Sequence, residues 1–256
     1  MKFLAQGGVH EVEIRRHFRG RVAYQGTGPV FDHPLYLLAF SNRSGSNLLA
    51  DYLRTTPIFS GFYEQLNYST VFQQAERWNA TTFPDFIRQS AEVLSEPGKM
   101  HGFKASWDQI LMLHRFRIPA MYQGVRVIHI TREDLLGQAI SYHIAHQTKR
   151  WTSEQTGLDV EPVFNFAQID HLISATQMSA NAIQALCTIF GLPRMHLTYE
   201  DLVRRPRRAV LRVGTFAGAD LSDWKLRKPA IERQADALND MFRARFESEA
   251  RAALLR

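Results

Sequence analysis

The stretch Pro34–Thr55, PLYLLAFSNRSGSNLLADYLRT, constrains the fold more than any other part of the chain. Its apolar run from Leu35 to Phe40 is typical of a buried parallel strand, and residues 47–54 repeat apolar side chains at helical spacing. Between them lies a turn, residues 41–46, that is rich in serine and contains a glycine. Backbone N–H groups converge at the start of a helix, where the helix dipole also favours negative charge. The stretch therefore predicts a strand, an anion-binding loop and a helix.

Composition places this unit in a large folded domain with a moderately basic surface. The chain has 256 residues, of which 45% are hydrophobic, and 31 lysines and arginines against 25 acidic residues give a net charge of +6. That length and apolar content are sufficient for a substantial core. The excess of positive charge is compatible with an anionic ligand, but no nucleic-acid recognition motif accompanies it. We therefore expect a small anionic partner and no nucleic acid.

Several other classes of protein are disfavoured. The single cysteine, Cys187, lies in an apolar helical stretch and is expected to be a packed thiol, so a disulfide framework or cysteine-based metal site within one chain is not expected. The first residues lack the apolar core of a signal peptide, and no window approaches the roughly 18 apolar residues of a membrane span. No His-Glu-x-x-His or similar ligand spacing is present. We expect a soluble, cytoplasmic protein without a metal.

Strand and helix signals alternate after the opening unit, which predicts a parallel sheet wrapped by helices. Predicted strands cover 101–105, 125–131 and 195–199, and predicted helices cover 71–96, 107–117, 132–151, 164–190, 200–218 and the C-terminal tail. Thr131 and Asp134 are predicted to form a capping box for the helix after the 125–131 strand. The predicted fold class is α/β: a P-loop-like three-layer α/β/α sandwich with a central parallel sheet flanked by helices. Residues 1–33 are predicted to be an N-terminal extension, and residues 34–256 a single domain.

The loop lacks two groups that a nucleoside triphosphatase needs. The P-loop pattern has a lysine and a hydroxyl residue directly after its last glycine, to contact the terminal phosphates and magnesium. Here Ser46 and Asn47 follow Gly45, and the cation, Arg43, precedes it. This arrangement suits one phosphate-sized group that carries a transferable moiety, bound by amides and one guanidinium without a metal.

A second candidate anion site follows the VRVIHIT strand. Arg132 stands at the predicted end of that strand, and Ser141 follows nine residues later. Both are expected near the carboxyl edge of the sheet, where open α/β folds bind their ligands. Nine residues of a straight helix would separate them by roughly 13 Å along the axis and place them on opposite faces. A shared phosphate site therefore requires Arg132 to lie outside the regular helix.

Taken together, SNRSGSNLL and TREDLLGQAIS resemble the paired nucleotide sites of sulfotransferases that use 3′-phosphoadenosine 5′-phosphosulfate. The chain is most similar to the bacterial trehalose sulfotransferase family, and the similarity runs from about Pro34 to Phe246. The order and spacing of these short motifs are the specific part of the match. The segments that carry it are RSGSNLL, Glu64, GFKASW at 102–107, GQAIS, QTKRW at 147–151 and KPAIERQAD at 228–236.

The resemblance implies a role for each matching residue. The 5′-phosphosulfate would be held by Arg43 and the loop residues Ser44, Gly45, Ser46, Asn47 and Leu48, and the 3′-phosphate by Arg132 and Ser141. Glu64 would be the general base, and burial among its apolar neighbours is expected to raise its pKa. Lys104 would contact the sulfuryl oxygens or the acceptor, and a C-terminal segment with Arg233 and Gln234 would cover the cofactor. The product would be adenosine 3′,5′-bisphosphate, and no metal is implied.

The acceptor is the least defined part of the implied reaction. The family implies a carbohydrate hydroxyl, but residues 58–94 match it poorly beyond Glu64, so trehalose, another sugar and a glycolipid all stay open. Five aromatic residues there are expected either to stack on sugar rings or to pack in the core: Phe62, Tyr63, Tyr68, Phe72 and Trp78. Trp151 is expected to stack on adenine or to fill the core. Three histidines are weaker candidates for the base: His101, His143 and His146.

Two other functions are left open by the residues alone. One is a magnesium-dependent P-loop small-molecule kinase, and the other is a non-catalytic module that binds an anion or a carbohydrate. The family resemblance also allows a homodimer.

Overall fold

A computed structural model describes residues 2–5, 7–151, 155–229 and 237–255. The strands of this part of the chain are β1 Leu35–Phe40, β2 Phe59–Tyr63, β3 Met100–Ala105, β4 Val125–Thr131 and β5 Arg194–Thr198. Its α-helices are α1 Lys2–Ala5, α2 Val9–His17, α3 Ser46–Arg54, α4 Tyr68–Trp78, α5 Phe83–Leu94, α6 Trp107–Arg115, α7 Leu135–Thr148, α8 Phe166–Ile189, α9 Tyr199–Arg204, α10 Pro206–Ala217 and α11 Ala237–Leu254. A short 3₁₀ turn, Ile118–Met121, precedes β4.

The five strands form one parallel sheet in the order β2-β3-β1-β4-β5. β1 lies at the centre and is buried at all six positions, as expected for a strand that is covered on both faces. Its residues alternate between two cores. Leu35, Leu37 and Ala39 belong to the core on one face, and Tyr36, Leu38 and Phe40 to the core on the other. The predicted three-layer α/β/α fold is confirmed.

The sheet order also defines the ligand-binding edge. After β1 the chain forms β2 and β3 on one side of it and then crosses to β4 on the other, which makes the carboxyl end of β1 a topological switch point. In register, Ala39 pairs with Ala105 of β3 and Phe40 with Ile130 of β4. The loops that follow these three strands therefore meet at one edge.

The structure differs from the predicted elements after α3, within residues 71–96 and within residues 200–218. The aromatic segment after α3, which was not predicted as a strand, contains the edge strand β2. The predicted helix 71–96 is two helices, because Asn79 adopts a left-handed conformation (φ 55°) that ends α4, and Thr82 caps α5. The predicted helix 200–218 is also divided, because Pro206 starts α10 and excludes Arg205 from the helical region.

The start of α7 corrects the predicted capping box. Asp134 is the N-cap residue, and its side chain accepts a hydrogen bond of 2.9 Å from the backbone N–H of Gly137. Thr131 is not part of the cap, since its hydroxyl forms a 2.8 Å hydrogen bond with His196 Nε2 on the neighbouring strand. Helix α7 therefore begins at Leu135, three residues after Arg132.

Part of the N-terminal segment packs on the rest of the domain. Ile14 and Phe18 are at most 2% exposed and join the core that covers one face of the sheet. Glu11 of α2 forms an ion pair with Arg115 of α6. The division of the chain at residue 33 stays a prediction.

Candidate functional site

The loop after β1 is held in its shape by two left-handed residues. Gly45 has φ 86° and precedes α3, and Arg43 has φ 64°. Gly45 also allows a close approach, because a Cβ atom there would lie 2.4 Å from the Tyr199 ring. Glycine is thus required by both the backbone and the packing. The tight turn directs the amides at the start of α3 toward the sheet edge.

A cavity of about 1240 Å³ opens at this edge of the sheet. Loops and helices from distant parts of the chain form its wall. Of the predicted site residues, those that line it are Arg43, Gly45, Ser46, Asn47, Leu48, Glu64, Lys104, Arg132 and Ser141. Ser44 lies beneath this lining and is fully buried. Arg233 and Gln234 fall outside the described residues, so their predicted role stays a prediction.

Arg43 links the two predicted anion sites. Its Nε donates a 2.9 Å hydrogen bond to Ser141 Oγ, and its Nη1 donates to the carbonyl oxygen of Trp151. Burial, with a smaller contribution from the charge of Arg132, lowers the pKa of Arg43. The positive charges of Arg43 and Arg132 repel each other, and an anion between them would relieve this repulsion. In this structure, Ser141 is therefore a hydrogen-bond acceptor for Arg43.

Arg132 lies outside α7, as a shared site requires. Its guanidinium contacts Asp134 Oδ2 at 3.3 Å and lies 5.1 Å from the centre of the Tyr199 ring. Its Nε is buried and has no hydrogen-bond partner in the described part of the chain, and the same is true of Ser44 Oγ. Buried donors are normally paired. Arg132, which lines the cavity, thus fits a site for an anion, whereas Ser44 lies beneath the lining.

Arg243 is a candidate site residue that the sequence did not indicate. It comes from α11, lines the cavity, and donates from Nη2 to both oxygens of Asp134 at 2.6 and 2.7 Å. Burial alone would raise the pKa of Asp134, but the hydrogen bond from Arg243 and the Gly137 amide hold it below its usual range. No local motif marks Arg243, because it follows Asp134 by 109 positions and meets it only through the packing of α11 on α7.

Glu64 and Lys104 form an ion pair across the cavity floor. Lys104 Nζ lies 2.6 Å from Glu64 Oε1 and also donates to Asn47 Oδ1 in the first turn of α3. The Lys104 side chain is 3% exposed, whereas that of Glu64 is 44% exposed. Asn67 donates to the other Glu64 oxygen at 3.0 Å, and Gln109 donates to Asn67 at 2.9 Å. The carboxylate is thus fixed from two sides and keeps a face open to the cavity.

The expected rise in the pKa of Glu64 is wrong for this structure. Burial acts in that direction, but the charge and hydrogen bond of Lys104, with the Asn67 hydrogen bond, lower the pKa below its ordinary value. Burial in turn lowers the pKa of Lys104 despite its pairing with Glu64. The carboxylate is therefore ionised at neutral pH.

The bulge in β2 accounts for the position of Glu64. The pairing register of β2 with β3 shifts between Gly61 and Tyr63. Gly61 has φ 81°, and a Cβ atom there would lie 2.5 Å from the carbonyl oxygen of Gly102. Phe62 consequently turns into the core, where it is fully buried, and the chain leaves the strand with Glu64 at the cavity.

The remaining aromatic and histidine candidates lie in several environments. Phe62, Phe72 and Trp78 belong to or pack against the two large cores. Tyr63 and Tyr68 are partly exposed but do not line the cavity, whereas Trp151 does. His101 and His143 are buried away from the cavity, and His146 is exposed. Trp107 and His10, which were not singled out, do line it.

None of the described helices is both long enough and apolar enough to cross a membrane. Within the described ranges, no cluster of three or more His, Cys, Asp or Glu side chains is arranged to hold a metal ion.

Comparisons with known proteins agree with this architecture. The trehalose 2-sulfotransferase of Mycolicibacterium smegmatis is 26% identical, over 86% of this chain and 97% of that protein. The protein of the same name from Mycobacterium tuberculosis is 25% identical, over 84% of this chain and 95% of its own length. The crystal structure of a sulfotransferase from Alicyclobacillus acidocaldarius has the same fold, with a TM-score of 0.50, 13% identity and coverage of 85% of this chain and 93% of that one.

The family comparison is more direct. The family model described as Stf0 sulphotransferase matches residues 111–249. That range is more than half of the chain and includes Arg132 and Ser141, the predicted second anion site, together with Arg243. The chain belongs to the Stf0 sulphotransferase family and is a sulfotransferase related to the trehalose 2-sulfotransferases.

Proposed function

We propose that this protein transfers a sulfuryl group from 3′-phosphoadenosine 5′-phosphosulfate to a hydroxyl of a carbohydrate or glycolipid, and releases adenosine 3′,5′-bisphosphate without a metal. One observation carries the proposal: Lys104 connects Asn47, in the first turn of α3, to Glu64, so that a cation lies between the proposed donor site and a carboxylate. Such a junction suits transfer between two bound molecules.

On the donor side, the chain offers two groups of phosphate ligands. Arg43 and the amides from Ser44 to Leu48 would hold the 5′-phosphate and neutralise its charge as the bond to sulfur breaks. Arg132 would direct its unpartnered Nε to the 3′-phosphate, with Ser141 and Arg243 beside it. Cations and amides are sufficient here because they are fixed before the reaction.

On the acceptor side, Glu64 would take the proton of the attacking hydroxyl. Its lowered pKa makes it a weak base while Lys104 is paired with it. When Lys104 turns to the sulfuryl oxygens, the carboxylate loses its partner and its pKa rises toward a range better suited to a general base. When bound, the donor supplies the sulfuryl group, which forms a new bond to the acceptor oxygen as its bond to the phosphate oxygen breaks.

The acceptor class is supported by the names of the two mycobacterial relatives, which specify trehalose. The cavity wall near Glu64 contains amide, carboxylate and hydroxyl side chains together with Trp107. This mixture is suited to a molecule with many hydroxyl groups. Trehalose is therefore the first acceptor to test, followed by other disaccharides and glucolipids.

Nucleotide binding separates the proposal from a kinase. We expect adenosine 3′,5′-bisphosphate to bind in EDTA, measured by isothermal titration calorimetry, and ATP with magnesium to bind more weakly. Arg132→Ala should weaken the bisphosphate at least about 10-fold, since it removes a charge-assisted hydrogen-bond donor from a phosphate. Arg88→Ala, in an exposed ion pair on α5, is the control. Preference for ATP with magnesium would contradict the proposal.

Transfer of labelled sulfate tests the base. Glu64→Gln keeps the size and one hydrogen-bond acceptor but cannot take a proton, so kcat should fall by about 10² to 10⁴. Bisphosphate affinity should stay unchanged in this variant. Transfer at the parental rate would refute the assignment of Glu64, and a parent protein that binds the nucleotide but transfers no sulfate would indicate a binding module.

A further inference from the structure

Helix α2 brings an unassigned histidine into the acceptor side of the cavity. His10 lies in its first turn and shares the cavity wall with Glu64, Trp107 and Asp108. It is close enough to both carboxylates to interact with them electrostatically. The family match described above does not include this residue, which lies 101 positions before residue 111, where the matched range starts.

Several contacts fix α2 at this place. Gly8, the N-cap residue, lies directly against Asp108, since a Cβ atom on it would be 2.4 Å from Asp108 Oδ2. One turn later, Glu11 is paired with Arg115 at the other end of α6. Ile14, which is buried in the core on one face of the sheet, also holds α2 against the domain. His10 is therefore presented by an anchored helix.

The hydrogen bonds of the imidazole determine what it can do. The backbone N–H of Tyr68 donates to Nδ1 at 3.1 Å, so Nδ1 is an acceptor and the proton of the neutral ring is on Nε2. Burial lowers the pKa of His10, although Asp108 and Glu64 act in the opposite direction, and the neutral ring therefore dominates at pH 7. Nε2 has no hydrogen-bond partner in the part of the chain that the structure describes. The ring is thus set up as a donor, since a base would need its lone pair on Nε2.

Asp108 offers the complementary acceptor. Its Oδ1 accepts a 2.5 Å hydrogen bond from Ser106 Oγ, which fixes the carboxylate at the start of α6. A fixed carboxylate and a neutral imidazole N–H on the same wall can bind two hydroxyl groups in opposite senses: one oxygen accepts and the other donates.

We propose that His10 Nε2–H and the Asp108 carboxylate bind non-reacting hydroxyls of the acceptor, so that α2 helps to select a polyhydroxylated substrate and to place its reacting hydroxyl at Glu64. This inference rests on the proposed function, because it assumes a carbohydrate acceptor. It assigns His10 a binding role and leaves proton abstraction to Glu64.

Three substitutions of His10 separate a donor from a base and from a structural residue. In His10→Gln, the amide nitrogen occupies the position of Nε2 and can still donate. In His10→Asn, the side-chain oxygen can still accept from the Tyr68 amide, but nothing reaches the position of Nε2. His10→Ala removes both groups.

With trehalose, maltose and glucose as the acceptor panel, we expect His10→Asn and His10→Ala to raise the acceptor KM about 3- to 10-fold, as for loss of one neutral hydrogen bond. His10→Gln should stay within about 2-fold of the parent. Asp108→Asn should also raise the acceptor KM. In all four variants the affinity for adenosine 3′,5′-bisphosphate should be unchanged. In the parent protein, a long-range ¹H–¹⁵N spectrum at pH 7 should show that the imidazole proton of His10 is on Nε2.

The possible outcomes distinguish this inference from the proposed function. If the parent transfers sulfate but the His10→Asn variant keeps its acceptor KM, or if the proton is on Nδ1, the inference is wrong and the proposed function stands. If His10→Gln loses kcat as severely as His10→Ala, His10 is a base. If the parent transfers sulfate to no carbohydrate of the panel, both the inference and the carbohydrate acceptor are overturned.

Discussion

Lys104 and Glu64 show how one contact reverses a local expectation. The apolar residues around Glu64 favour a raised pKa, and burial does act in that direction. The ammonium group that overrides it comes from a different strand, 40 positions later. The identity of both residues was predictable from the family motifs, but their pairing was not, because it depends on the β2 bulge and on the end of β3 reaching the same point.

Removal of the ammonium group should raise the pKa of Glu64. In Lys104→Met the burial of the carboxyl group remains while its main opposing charge is lost, so the carboxylate will be protonated at higher pH. A ¹³C NMR titration of the Glu64 carboxyl carbon measures this shift. Lys99→Met, which removes a lysine paired with exposed Glu96, is the control and should leave the titration unchanged.

The same pair links stability to pH. Because the folded pKa of Glu64 is depressed, the stability that it contributes is present above the unfolded pKa of about 4.3 and is lost as the pH falls through the folded pKa. The Lys104→Met variant should lack this contribution. A pKa of Glu64 that is equal in the parent and this variant would show that Lys104 does not determine its ionisation.

At the scale of elements, the unit from β1 to α3 has limits that the local sequence pattern predicts and one tertiary contact that it does not. The limits of β1 match those predicted, and α3 begins one residue earlier than predicted. The Gly-Ser composition of the loop indicated a tight turn. What the sequence did not indicate is that Tyr199, from the start of α9, lies over Gly45 and under Arg132.

A pair of glycine substitutions isolates this contact. Gly45 and Gly98 both have positive φ, but a Cβ atom on Gly98 would meet nothing within 4 Å. Both Gly→Ala changes should cost roughly 1–2 kcal/mol for the left-handed backbone, and Gly45→Ala should cost more because of the clash with Tyr199. Urea unfolding measures both costs. Only Gly45→Ala should also weaken binding of adenosine 3′,5′-bisphosphate, and equal effects of the two changes would contradict the packing argument.

At the scale of the whole molecule, the cavity joins segments from both ends of the chain. Helix α11 contributes Arg243 to the cavity wall near Arg132, and α2 contributes His10 near Glu64. The order of the parallel strands makes this possible, since the switch point at β1 leaves an open edge that other segments can cover.

The role of α11 can be tested by two arginines of the same helix. Arg243→Ala should weaken binding of adenosine 3′,5′-bisphosphate about 10-fold, because it removes a cation and leaves Asp134 without its strongest partner near the expected 3′-phosphate. Arg245→Ala changes an exposed ion pair with Glu249 and should have no effect. Calorimetry at two salt concentrations compares them; equal affinities would exclude Arg243 from the site.

The packing of α2 on the domain predicts how substitutions in this helix change the free energy of unfolding. Ile14→Ala should lower the free energy of unfolding by about 2–5 kcal/mol, as for a fully buried isoleucine. Val12→Ala, on the exposed side of the same helix, should change it by no more than about 0.5 kcal/mol. Chemical denaturation measures both. A loss below about 1 kcal/mol for Ile14→Ala would favour the view that residues 1–33 are a separate extension.

The sequence by itself determined the parallel α/β fold and predicted the loop and most side chains of the candidate site, because strand and helix periodicity and short loop motifs are local properties. Tertiary structure decided which of these side chains meet: Arg43 with Ser141, Lys104 with Glu64, and Asp134 with Arg243. It also placed Arg243 and His10, for which the sequence has no local signal, in the wall of the cavity. Contacts between residues far apart in the chain depend on sheet order, bulges and helix packing, and no local pattern encodes them.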